Sequence, residues 1–295
     1  MAVSTDVKRG EAGIALPLAA VVAGAAAMGG SPILVRLAEV GPFASAFWRV
    51  ALALPALYLW MRMEDGAAAP MRVSRAVLFA GLAFAGDLFF WHLAIRDTTV
   101  ANATFFATTA PLWVVAFGWL LFARKPSVGT LVGLALCLAG GFALVSQSFE
   151  ISLGRARGDA FGLATAVFFG LYILAVGQAR ASAGPGRIIF QSSVITAALL
   201  LPVALVLDGR MAPPHVGGAA ALVALALVSH VGGQGLLAFA LGRLAATFSS
   251  FVIFIEAIVA AALGWLVLGE ALTIAQLLGG VAILAGIVAA RPRGG

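Results

Sequence analysis

Long apolar runs alternate with short polar or basic joints along this chain. The runs fall at residues 14–35, 42–61, 73–93, 99–122 and 128–145, then at 158–178, 188–207, 216–241, 245–268 and 273–290. A helix rising 1.5 Å per residue needs about 20 apolar residues to cross a bilayer core about 30 Å thick, and these runs are close to that length. Hydrocarbon offers the backbone no water, so only helices and closed barrels span it. The runs are too continuous for the alternating strands of a barrel, and the pattern predicts an all-α membrane protein with ten transmembrane helices.

Composition strengthens this reading. Of 295 residues, 62% are hydrophobic and 10% charged, against about 45–50% and about 25% in soluble domains. The formal charge of +6 would point to nucleic acid in a soluble protein. Here the basic residues sit between apolar runs, where they act as topology signals, and no nucleic-acid partner is expected. With the N-terminus inside, the cytoplasmic joints hold twelve Lys and Arg and the outer joints five, while Arg49 lies within a span. That bias predicts a multi-pass protein of the inner membrane with both termini cytoplasmic. Lys8 and Arg9 before an Ala-rich stretch have the outline of a signal peptide, yet the following run is long enough to span and reads as a retained first helix. The single Cys137 excludes an internal disulfide framework and a multi-cysteine metal site.

The two halves resemble each other at a displacement of 146 positions: Gly118 and Trp119 fall on Gly264 and Trp265, Gly133 on Gly279, and Gly140 on Gly286. Five helices per half is an odd number. Two such repeats, 1–148 and 149–295, enter the membrane from opposite sides and form inverted repeats, with a substrate site expected near the midplane between them.

Several ordered blocks carry a family resemblance: Phe47, Arg49 and Ala51; then Asp87, Trp91, His92, Ala94, Ile95, Thr98 and Val100 to Thr104; then Pro111. In the second half the blocks are Ala246 and Thr247, then Gly264, Trp265, Gly269, Glu270 and Gly279. Over nearly its whole length the chain resembles the EamA-type transporters of the drug/metabolite transporter superfamily. The resemblance implies transport of small metabolites, often amino acid efflux, with some likeness to the YddG-type aromatic amino acid exporters. Arg124 departs from the pattern, because it occupies the position that the repeat relates to Glu270.

Charges inside the bilayer are costly and usually face a cavity or a partner. Arg49 and Asp87 both lie about 10 Å from the outer ends of neighbouring spans, where they either lock two helices as an ion pair or orient a substrate. Glu256 lies near the middle of the ninth run with no opposite charge on its own span. It reads as a substrate or proton group, or as a structural acid. Phe84, Asp87 and Trp91 recur at helical spacing, as do Phe169 and Tyr172 with Thr165, so these faces read as an aromatic pocket or as packing. His92, and His230 with Gln234 four residues on, are further candidates. Asn102 and Ser250, near the starts of the repeat-related fourth and ninth spans, either face the cavity or hydrogen-bond between helices.

The glycines at 233 and 235 with Ala238 match a dinucleotide pattern only formally, because no soluble βαβ unit surrounds them. The sequon at Asn102 lies inside an apolar span and is discounted. No Walker pattern is present, so direct ATP drive and a nucleotide cofactor are not expected. An intramembrane hydrolase needs paired acids, a metal site or an activated nucleophile, and neither HExxH nor GxGD occurs. The expectation is a secondary transporter exporting aromatic or neutral amino acids by alternating access, with the bilayer and a small solute as its partners. The alternatives are an intramembrane enzyme and a scaffold subunit.

Overall fold

The computed structural model describes residues 3–66, 72–146, 152–268 and 271–291. These residues form helices and no strand. Among the described residues nine helical rods are long and apolar enough to cross a membrane: α1 (Ile14–Leu37), α2 (Pro42–Asp65), α3 (Arg75–Asp97), α4 (Asn102–Phe122), α5 (Val128–Val145), α6 (Ala156–Ala179), α7 (Pro185–Leu207), α8 (Val216–Leu241) and α9 (Ala246–Leu263). The tenth, α10 (Ile274–Ala289), is shorter, at 16 residues. Together they account for the ten apolar runs.

Local signals start these helices. Ser74, Thr99, Ser127 and Thr273 each accept a hydrogen bond from a backbone N–H of the first turn, at α3, α4, α5 and α10. Such caps satisfy donors that the helix itself leaves unpaired. At α10 the Gln276 side chain returns a bond to the Thr273 backbone, completing a capping box.

The packing follows the internal repeat. A shift of 146 residues carries α1 onto α6, α3 onto α8 and α4 onto α9. In the structure α3 packs along α6 and α1 along α8, while α4 also packs on α6 and α9 on α1. The shift exchanges these contacts. Two further pairs, α2 with α7 and α5 with α10, map onto themselves.

The α5–α10 seam shows the symmetry residue by residue. A Cβ added at Gly133 would meet the Gly286 carbonyl oxygen at 2.6 Å, and one added at Gly286 would meet that of Gly133 at 2.7 Å. Gly279 stands in the same relation to Gly140. Between these contacts the Cys137 thiol lies 3.6 Å from the Ile283 carbonyl, and these two residues are themselves repeat mates. Numbers rise on one helix as they fall on the other, so the pair is antiparallel, as inverted repeats require. Only glycine lets the two backbones approach this closely.

Four rods are interrupted. α1 breaks at Gly30 before Pro32, α2 at Leu52 and Ala53 before Pro55, α4 at Thr109 before Pro111, and α9 at Ile253 and Phe254. The 146-residue shift brings the interruptions in α4 and α9 to within two residues of each other. At both, hydrogen bonds to the third residue back, such as Thr109 to Phe106 and Glu256 to Ile253, keep backbone groups paired. In α8, residues Leu225–Gln234 form a π-helical stretch. Pro17 lies inside the continuous first piece of α1, which ends at Gly29, and Pro202 inside the unbroken α7. Pro32, Pro55 and Pro111 each follow a break, whereas Pro17 and Pro202 do not.

Candidate functional site

The interruptions converge on one cavity. It contains about 780 Å³ of atom-free space, part of it open to solvent, and is bounded by α1, α2, α3, α4, α6, α8 and α9. Five repeat-related pairs line it: Thr104 and Ser250, Ala107 and Ile253, Thr108 and Phe254, Ala110 and Glu256, and Leu88 and Gln234. The cavity therefore straddles the axis relating the two halves. The pairs are not chemically equal, since Ala110 faces a space that Glu256 occupies on the other repeat, and Leu88 stands where the second half has Gln234.

Three charged side chains border this space. Arg49 ends the first helical piece of α2, Asp87 lies on α3, and Glu256 lies in the first turn of the second piece of α9. A carboxylate there faces the positive end of a half-helix. Arg49 and Asp87 are buried and Glu256 is half-buried. Arg49 lies within electrostatic reach of both acids. Among the described residues, however, no carboxylate oxygen comes within 4.0 Å of its guanidinium, and its Nε has no hydrogen-bond partner. The direct Arg49–Asp87 ion pair considered from the sequence is therefore not formed; a shared cavity separates the charges.

Other polar atoms at the cavity wall are also unpartnered: Ser31 Oγ, Thr165 Oγ1 and Gln234 Oε1. The Gln234 amide nitrogen donates to the Met28 sulfur at 3.2 Å. Buried polar groups are normally paired, so these atoms gather hydrogen-bonding capacity around one void. Trp91, Phe169 and Phe254 supply aromatic wall.

Of the twelve candidates read from sequence, Arg49, Asp87, Trp91, Phe169, Gln234, Ser250 and Glu256 border the cavity, and Phe84, His92, Asn102, Tyr172 and His230 do not. Phe84 packs on Tyr172 at 4.7 Å between ring centroids and on His230 at 5.3 Å. His230 Nε2 lies 2.7 Å from Ser193 Oγ, so these rings form a layer behind the wall. His92 Nδ1 donates to the Leu88 carbonyl at 2.6 Å within its own helix. Asn102 ties the start of α4 to α6 instead of lining the cavity, donating through Nδ2 to Asp159 at 2.9 Å and accepting from Thr99 through Oδ1. Ser31 was not singled out from sequence, and Thr165 was noted only for its place on a helix face. Glu270, the repeat mate of Arg124, lies outside the described residues with Gly269.

Two inverted five-helix units, broken rods and a polar cavity on their shared axis define the architecture of a secondary transporter. The EamA-like transporter family model matches residues 15–146 and again 156–290, and the chain belongs to this family. It is 30% identical over 197 residues to an uncharacterized transporter of Archaeoglobus fulgidus, covering 67% of this chain and 69% of that protein. It is 28% identical over 209 residues to the threonine/homoserine exporter RhtA of Escherichia coli strain K12, covering 71% of this chain and 68% of RhtA. A solved crystal structure superposes with a TM-score of 0.82 over 95% of this chain and 97% of the other, at 17% identity. That likeness speaks to the fold alone.

Proposed function

We propose that this transporter exports small neutral amino acids, and that the cavity between its two units, 1–148 and 149–295, is the substrate site. The observation that carries the reading is the set of separated, unpaired charges around one void. Arg49 is placed to receive a carboxylate through its guanidinium, while Asp87 and Glu256 are placed to receive an ammonium group. A zwitterion satisfies both poles, and leaving either charge without its counterpart in a desolvated site is costly.

The neutral part of the substrate meets Trp91, Phe169 and Phe254 together with Ser31, Thr165 and Gln234. Aromatic side chains find apolar wall there, but they leave those polar groups unpaired, which disfavours them relative to a short hydroxylated side chain. Threonine and homoserine, which the RhtA relative exports, have that chemistry. In this reading the solute is moved and not chemically changed. Both termini face the cytoplasm of a cell whose inner membrane holds the protein, as the distribution of Lys and Arg favours.

Proteoliposomes containing only this chain test the proposal. Loaded with a panel of labelled amino acids, they are expected to exchange homoserine and threonine faster than phenylalanine. Folded protein that moves none of the panel would refute amino acid transport.

A further inference from the structure

A second crevice lies away from the substrate cavity, at the end of the molecule where α4 finishes and α5 begins. It is walled by the 124–130 segment, by residues Ala245 to Phe248 at the start of α9, and by the last turn of α10. Arg124, Lys125 and Arg291 reach it from two segments remote in sequence, and among the described residues no acidic one lines it. Arg124 and Lys125 are carried there by the end of α4. Ala123 adopts the left-handed conformation, φ 54°, and the Arg124 N–H bonds back to the Gly118 carbonyl. The Arg124 guanidinium also stands 5.5 Å over the Phe122 ring.

The internal repeat makes this crevice unusual. At the other end of the molecule Gln276 bridges α10 and α5, its Nε2 donating to the Leu144 carbonyl at 3.1 Å. The repeat mates of those two residues are Thr130 and Ala290, both on the crevice wall. The shorter Thr130 side chain pairs with Ser127 at 2.9 Å, and among the described residues it makes no such bridge to α10. The crevice is also continuous with exposed apolar surface. Leu120 and Leu121 lie one turn before Arg124, and Val128, Leu131 and Val132 run along α5; all five are exposed.

We propose that this crevice binds the headgroup phosphate of an anionic phospholipid, with an acyl chain lying along the exposed faces of α4 and α5. Three cations, with no carboxylate among the described lining residues, select a phosphate. The adjoining apolar faces select a lipid over a free ion, and basic pockets between spans at the membrane surface suit this chemistry. In the orientation proposed above the crevice faces the cytoplasmic leaflet.

Native mass spectrometry and thermal unfolding of the purified chain test this, with phosphatidylglycerol, phosphatidylcholine and inorganic phosphate as separate probes. Phosphatidylglycerol is expected to remain bound at low stoichiometry and to raise the unfolding temperature. The other two should do neither. R124Q/K125Q/R291Q should abolish the selectivity, and the single variants, which keep most of the charge, should weaken it in part. Equal retention of phosphatidylcholine, full stabilisation by phosphate alone, or undiminished phosphatidylglycerol selectivity in the folded triple variant would each overturn the proposal. Because the readout is binding, it stands or falls separately from the substrate.

Discussion

At the scale of single residues, the account rests on Arg49, Asp87 and Glu256. If Arg49 receives the substrate carboxylate, Arg49→Gln should lose about 2–5 kcal/mol of substrate binding, well over tenfold in affinity. It should also cease to discriminate an amino acid from its carboxamide. Asp87→Asn and Glu256→Gln should weaken transport of amines while leaving the chain folded. Competition assays in proteoliposomes provide the check, and unchanged discrimination in Arg49→Gln would remove it from the site. These charges were legible in the sequence because an ion inside a 20-residue apolar run is conspicuous. Ser31 and Thr165 were not, since small hydroxyls are ordinary in membrane helices and only the fold shows which of them lack a partner. Phe84, Tyr172 and His230 share the right helical faces with cavity residues. Periodicity gives a face, however, and cannot say whether a neighbouring helix covers it.

Among the elements, the seam between α5 and α10 makes the sharpest claim. Gly279 touches the partner backbone, whereas a Cβ at the adjacent Gly280 would meet nothing within 4 Å. Gly279→Leu should therefore destabilise the protein by about 1–3 kcal/mol through overpacking. Gly280→Leu should leave stability unchanged or raise it slightly, since leucine is the better helix former. Thermal unfolding in detergent distinguishes the two, and equal effects would contradict the seam. The helices themselves were readable from hydrophobic run length. Their interruptions were readable only in part, because a proline is neither necessary nor sufficient for a break. α9 is interrupted without one, and α7 carries Pro202 without interruption.

For the whole molecule, the 146-residue displacement seen in a few Gly and Trp positions becomes a physical axis. It passes through the Cys137–Ile283 contact at the α5–α10 seam, and the central cavity lies across it. Alternating access by two inverted units requires that the same cavity walls face solvent from both repeats in turn. Thr104 on α4 and Ser250 on α9 are repeat mates on that wall, which makes them a matched pair of reporters. The most direct measurement is the alkylation rate of Thr104→Cys and Ser250→Cys, each in a Cys137→Ala background, with and without a transported amino acid. The account predicts that both cysteines react with a small water-soluble reagent and that the substrate slows both at the same concentration. Protection of neither, in protein that still transports, would contradict a shared central site.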